Sequence, residues 1–180
     1  MDFTSDWFSR HIPVWSHFFS PLKGQPIRVL EVGSYEGRSS VWLLANILTH
    51  PESQLSCVDV WESKAVRQRF RANMAATGRA GQVIAYVGES AIALKTVPGP
   101  FDVIYIDGNH EARAVLTDAA LCWSLLKPGG VLIFDDYGWN GDVEFPPRHA
   151  IDAFLQLWMT QIEVLHKGYQ VVVRRRVESA

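Results

Sequence analysis

Short apolar runs alternate with amphipathic stretches along almost the whole chain. Runs rich in Val, Ile and Leu at Ile27–Val32, Gln54–Val60, Val83–Val87, Phe101–Ile106 and Val131–Phe134 each close on a turn signal, as buried strands do. Between them the apolar positions spread to a helical spacing. Ser39–Leu48 reads as a helix ended near His50-Pro51. Ser63 is placed to cap a second helix running to about Met74, with Arg67, Arg69 and Arg71 on its wet side. A short helix is expected from Ser90 to Lys95, before Pro98-Gly99-Pro100 breaks the chain. The strongest helical pattern spans Glu111–Leu126, where Val115, Ala119, Cys122 and Leu126 fall on one face. Lys127-Pro128-Gly129-Gly130 then ends it, with glycine where a left-handed residue is needed. His149–Met159 reads as the last helix, and Gln161–Leu165 and Gln170–Arg174 flank Lys167-Gly168 as a hairpin. Residues 1–25 fit no strand and read as an N-terminal helical extension.

Strand–helix alternation of this kind predicts an α/β fold, with a mostly parallel, doubly wound sheet and helices on both faces. A chain of 180 residues suffices for one well-cored domain, taken as residues 1–180. Apolar content of 48% against 20% charged residues is that of an ordinary globular protein. A net charge of −2 gives no reason to expect a nucleic-acid partner. The basic run Arg174-Arg175-Arg176 reads as a solvated strand end. Residues 14–22 are too short and too polar for a membrane span, and no basic leader precedes them. Cys57 and Cys122 lie in apolar runs and read as buried free thiols, so a cytoplasmic setting is expected. Seven tryptophans are many for this length, which suggests a pocket wall or a homo-oligomer contact.

The chemistry concentrates at the strand ends. In an open parallel sheet, ligands bind beyond the carboxyl ends of the strands, where strand order reverses. There the first strand delivers Glu31 and then turns on Gly33 and Gly37; the second delivers Asp59. The third leads to Gly88-Glu89-Ser90, the fourth to Asp107 with His110 three residues on, and the fifth to Asp135 and Asp136. The Gly33–Gly37 spacing is not the Gly-x-Gly-x-x-Gly of a dinucleotide fold. An acid beside such a turn suits a ligand carrying a positive centre and an ammonium group better than a diphosphate. Carboxylates gathered on one rim repel one another unless a cation or a proton intervenes. Helix capping explains Glu89 or Ser90 adequately. It explains Asp107, Asp135 and Asp136 together less well.

Val29-Leu-Glu-Val-Gly-Ser-Tyr-Glu-Gly37, Val58-Asp59 and Leu125-Leu-Lys-Pro-Gly-Gly130, in that order, resemble the motifs of class I S-adenosylmethionine-dependent methyltransferases. The resemblance runs from Ile27 to Arg174. It implies a sheet order of 3-2-1-4-5-7-6 with the seventh strand antiparallel. Tyr105-Ile-Asp-Gly-Asn-His110 and Phe134-Asp-Asp-Tyr137 more narrowly resemble the type 24 methyltransferases and the metal-dependent catechol and caffeoyl-coenzyme A O-methyltransferases. By that resemblance Asp107, Asp135 and Asp136 hold Mg²⁺ or Mn²⁺, and His110 is the catalytic base. The catechol enzymes place a lysine at the position of His110. The long N-terminal helical region of the caffeoyl type is missing, so acceptor recognition should differ.

The same resemblance places S-adenosylmethionine against Glu31, Gly33, Ser34, Tyr35, Gly37 and Ser39, with Glu31 accepting from its ammonium or from nearby backbone. Asp59 would hold the ribose, Glu89 and Ser90 would border the adenine, and Asp107 would lie near the methionine end as well as on the metal. Trp61 either stacks near the adenosine or closes the core. The implied activity is metal-assisted O-methylation of a hydroxylated small molecule. Alternatives are a metal-independent N- or O-methyltransferase and a non-catalytic cofactor-binding subunit. Residues 136–147, with Trp139 and Phe145, are expected to form an active-site loop, and His149 is a further candidate for touching the acceptor.

Overall fold

The computed structural model describes residues 1–177. Seven strands form one sheet: β1 (Arg28–Val32), β2 (Gln54–Asp59), β3 (Val83–Val87), β4 (Phe101–Ile106), β5 (Leu126–Phe134), β6 (Ile162–Lys167) and β7 (Val171–Arg175). Their order is 3-2-1-4-5-7-6. Strands β1 to β5 pair in parallel, and β7 runs antiparallel to both β5 and β6. This is the topology that the motif order implied.

The helices are α1 (Ile12–Phe19), α2 (Arg38–Asn46), α3 (Lys64–Ala76), α4 (Ser90–Ala93), α5 (Ala112–Leu125) and α6 (Pro147–Leu157). They sort by face because strand side chains alternate. Val29, Leu55, Cys57, Val103, Tyr105 and Ile133 point to one side, where α1, α2 and α3 supply Trp15, Phe19, Leu43, Leu44 and Phe70. Leu30, Val32, Ile104, Ile106, Leu132 and Phe134 point to the other, where α5 and α6 supply Val115, Ala119, Cys122, Ile151 and Phe154. The expected α5 stripe is buried in full, Leu126 included. Both cysteines are buried and free. No helix among the described residues is long and apolar enough to cross a membrane.

Three local expectations change. The glycine pair after α5 does not cap the helix. Leu126 is already extended and pairs with Phe101, so Lys127–Gly130 lies inside β5. Gly129, at φ 79°, bulges the strand there, opposite the register shift between Phe101 and Val103. Ser63 precedes α3 in an extended conformation, but its hydroxyl makes no capping hydrogen bond. Arg69 is not simply on the wet face: it is half-buried and bonded to Glu36 and Asp2.

At the centre of the sheet the β1 turn passes hard against the end of β4. A Cβ on Gly33, whose φ is 86°, would stand 1.9 Å from the Asp107 carbonyl oxygen. No side-chain rotation relieves a clash with backbone. Gly33→Ala is therefore expected to destabilise the protein by about 3 kcal/mol, from steric overlap plus left-handed backbone strain. Urea denaturation of the variant against wild type measures it; a loss under about 1 kcal/mol would show that the two turns can part easily.

Candidate active site

The β1 turn is built around Glu31. Its side chain is fully buried and its carboxylate accepts from the hydroxyls of Ser34, Ser39 and Ser40. Burial pushes the Glu31 carboxyl up, and the serine donors oppose that push. Glu31 thus ties β1 to the first turn of α2. It does not present its oxygens to an open cleft, as a direct contact with a ligand ammonium would need. Gly37, at φ 82°, opens α2, and a Cβ there would strike Met74 and Phe70.

Asp59 braces the turn from outside. Its Oδ2 accepts from the backbone N–H of Ser34 at 2.9 Å and of Tyr35 at 2.8 Å, and its Oδ1 accepts from Trp61 N–H at 2.7 Å. Trp61 packs into the core beside the turn. It is buried against Phe70, and its indole N–H donates to the Tyr35 carbonyl at 2.7 Å. Tyr35 itself is exposed and faces Trp7, with ring centroids 5.3 Å apart. On the far side, the N-terminal segment clasps the turn. Thr4 donates through both N–H and hydroxyl to the Glu36 carboxylate, which Arg69 also engages at 2.8 Å. Glu89 is exposed and Ser90 half-buried at the start of α4, on the same rim.

Across the rim, the ends of β4 and β5 bring the acids together. Tyr105 lies beneath them, its hydroxyl between the carboxylates of Asp107 and Asp135. Asp135 faces inward. Its oxygens take Gln170 Nε2–H at 3.0 Å and the Asp136 N–H at 2.7 Å, and His11 Nε2 stands 3.9 Å away. Asp136, at φ 58°, turns its side chain the other way, towards His110 Nε2 at 2.7 Å and the Tyr169 hydroxyl at 3.0 Å. The acids and bases whose ligand atoms lie within 4.8 Å of one another are Asp107, His110 and Asp136. The trio expected from sequence had Asp135 in place of His110. Asp135 stays beside Asp107 through the shared Tyr105 hydroxyl, but its oxygens are taken by Tyr105, Gln170 and the Asp136 amide.

The electrostatics follow from crowding. Burial, then Asp135, then Asp136 raise the Asp107 carboxyl well above its usual range. Burial and Asp136 raise Asp135. The hydrogen bond from His110 to Asp136 stabilises the imidazolium and raises His110. Burial lowers His11. Trp139, in the loop after β5, packs against His110 with ring centroids 4.9 Å apart, while Phe145 is exposed. His149 is exposed at the start of α6, its Nδ1 3.3 Å from the Pro146 carbonyl, and makes no contact with the acid group.

Sequence reading missed Tyr105, His11, Tyr169 and Gln170, because each owes its place to strand pairing or to the N-terminal turn. It also missed Asp118, which is buried in α5 with no hydrogen-bond partner on either oxygen and lies beneath Gly108. A carboxylate within the apolar stripe was the available signal. Burial pushes Asp118 up to about 6. Its folded pKa exceeds its unfolded value of about 3.9, so between those values the folded state binds the extra proton, and stability falls as pH rises through that window. Asp118→Asn should therefore gain about 1–2 kcal/mol over wild type at pH 7.5 and nothing near pH 4, read from denaturation curves at both pH values.

Known proteins give this arrangement a family context. A family model described as a methyltransferase domain matches residues 30–137. A catechol O-methyltransferase of Mycobacterium tuberculosis (strain ATCC 25618 / H37Rv) is 29% identical over 113 residues, 62% of this chain and 49% of that protein. The chain thus spans about half the length of that relative. An O-methyltransferase from Bacillus cereus, solved in complex with SAH, superposes with a TM-score of 0.72 at 18% identity, covering 91% of this chain and 81% of its own. MycE methyltransferase from the mycinamycin biosynthetic pathway, in complex with Mg, SAH and mycinamycin VI, superposes at 0.67 with 19% identity, covering 96% and 50%. At these identities the solved structures establish the fold.

Proposed function

The chain belongs to the methyltransferase-domain family, and on that footing we propose that it moves the methyl group of S-adenosylmethionine to a hydroxyl of a small molecule. One observation carries the reading: His110 Nε2 lies 2.7 Å from Asp136 Oδ2, in a group that also includes Asp107. With Nε2–H donated to Asp136, Nδ1 is left to accept a proton. A base oriented by a carboxylate in this way is suited to deprotonating a hydroxyl as it attacks. The acceptor oxygen forms its bond to the methyl carbon while the carbon–sulfur bond breaks and its electron pair returns to sulfur. The sulfonium becomes a thioether, and the acceptor's proton goes to His110. The displacement is in line, so holding the two reactants in register supplies much of the rate.

The cofactor's seat is the Gly33–Gly37 turn, with Ser34 and Tyr35 in it and Ser39 behind it at the start of α2. Asp59 faces the ribose, and Glu89 and Ser90 border the adenine. The backbone of Asp107 lies towards the methionine end. Glu31 holds the turn rigid from within. The solved MycE and Bacillus cereus structures, which carry SAH, support a cofactor of this class.

Asp107, His110 and Asp136 also fit a divalent cation. Their ligand atoms lie within 4.8 Å of one another, and two crowded carboxylates gain from a positive charge between them. Such an ion would supply Lewis-acid polarisation of the acceptor hydroxyl. Carboxylate-rich donors favour Mg²⁺ or Mn²⁺. His110 Nε2 cannot donate to Asp136 and ligate an ion at once, so the His110–Asp136 pair acting without metal is a second reading. Titration calorimetry should show S-adenosylmethionine binding; no heat and no displaceable binding would end the methyltransferase assignment. His110→Ala should lower kcat by about 10²–10⁴. EDTA should abolish turnover and Mg²⁺ restore it. Turnover indifferent to chelation selects the metal-free pair.

A further inference from the structure

Arg10 is an exposed residue whose guanidinium is nonetheless fixed. Its Nε–H donates to His11 Nε2 at 3.1 Å, and its Cζ sits 3.9 Å from the centroid of the Tyr169 ring. The hydroxyl at the other end of that ring donates to Asp136 Oδ1 at 3.0 Å. A held cation therefore stands over the ring whose hydroxyl meets Asp136, the partner of His110. Among the described residues, no carboxylate pairs with Arg10, whose guanidinium engages His11 and Tyr169.

A free surface arginine loses side-chain entropy when it binds an anion. Stacking on Tyr169 and the bond to His11 have already removed much of that freedom, which lowers the cost of binding. The two terminal nitrogens are the edge that meets a carboxylate through paired hydrogen bonds. Tyr169 links Arg10 to the candidate site: its face holds the cation and its hydroxyl holds Asp136.

We propose that Arg10 binds a carboxylate of the acceptor, so that the preferred acceptors are hydroxylated acids. This rests on the O-methyltransferase reading and narrows its substrate class. The competing role for Arg10 is to offset the charge of Asp135 and Asp136, with no part in acceptor choice.

Steady-state turnover with 3,4-dihydroxybenzoate and with its methyl ester separates the two, because the ester keeps the ring and hydroxyls and loses the charge. In the wild-type protein the acid should exceed the ester in kcat/KM by about tenfold, carried by KM. Arg10→Gln should erase that preference while leaving ester kcat within about twofold, and Arg10→Lys should keep part of it. Equal use of acid and ester by the wild type overturns the proposal and leaves the methyltransferase reading standing. So does an Arg10→Gln variant that loses both acceptors alike, which assigns Arg10 to charge balance. If S-adenosylmethionine binds but neither acceptor is methylated, the proposal falls along with the hydroxyl-acceptor reading.

Discussion

The structure hangs on the contact between two strand ends. β1 and β4 are neighbours at the point where strand order switches direction, and Gly33 approaches the Asp107 carbonyl closer than any side chain permits. The ladder continues past the strands here. Gly33 N–H bonds Val58 O at 2.8 Å, Asp107 N–H bonds Val32 O at 2.8 Å, and Asp135 N–H bonds Ile106 O at 2.9 Å. The chains leave the sheet side by side as a result, and their first free residues share one rim. The glycine turn and the acids are two sides of a single cleft because backbone hydrogen bonds hold them there.

Holding that rim takes a layer of buried polar groups. Glu31 with its three serine hydroxyls stiffens the turn from inside, and Asp59 fixes the Ser34 and Tyr35 amides from outside. Among the described residues, the non-glycine residues at positive φ are Tyr35, Trp61 and Asp136, and all three belong to this rim. Each costs about 1–3 kcal/mol and persists only where its surroundings over-determine it. For Tyr35 and Trp61 those surroundings are visible: Asp59 binds both amides, and the Trp61 indole returns to the Tyr35 carbonyl. Strain gathered there marks a surface selected for what it presents.

Most of the fold was legible because it follows from periodicity. Val115, Ala119 and Cys122 announced the buried face of α5, and the apolar runs located all seven strands to within a residue or two, save the start of β5. That start was hidden because Pro-Gly-Gly reads equally as a helix stop or a strand bulge, and only pairing with Phe101 decides. The members of the candidate site were legible as types at strand ends. Their orientations were not. Whether Asp135 meets His110 or is taken by Tyr105 and Gln170 depends on strand pairing. Whether Glu31 meets a ligand or three serines depends on the rotation of α2. Tyr105, Gln170 and His11 are invisible as site residues in one dimension, since they arrive from a strand interior, the far hairpin and the N-terminal turn.

Asp135 shows what the inward-facing member contributes. Trp15 on α1 donates its indole N–H to Gln170 Oε1 at 2.9 Å, Gln170 donates to Asp135, and Tyr105 links Asp135 to Asp107. Trp15 also packs edge-on against Tyr105, with centroids 4.8 Å apart. This chain ties the N-terminal helix, β7, β5 and β4 together directly beneath the acids. Asp135 remains close enough to Asp107, across the shared Tyr105 hydroxyl, to lift it more than Asp136 does. Turned inward, the same group is raised by burial and by Asp136, and the donors from Tyr105, Gln170 and the Asp136 amide oppose that rise only in part. The N-terminal segment thus supports the acids through Trp15. The surroundings of the acids are therefore set jointly by α1, β4, β5 and β7.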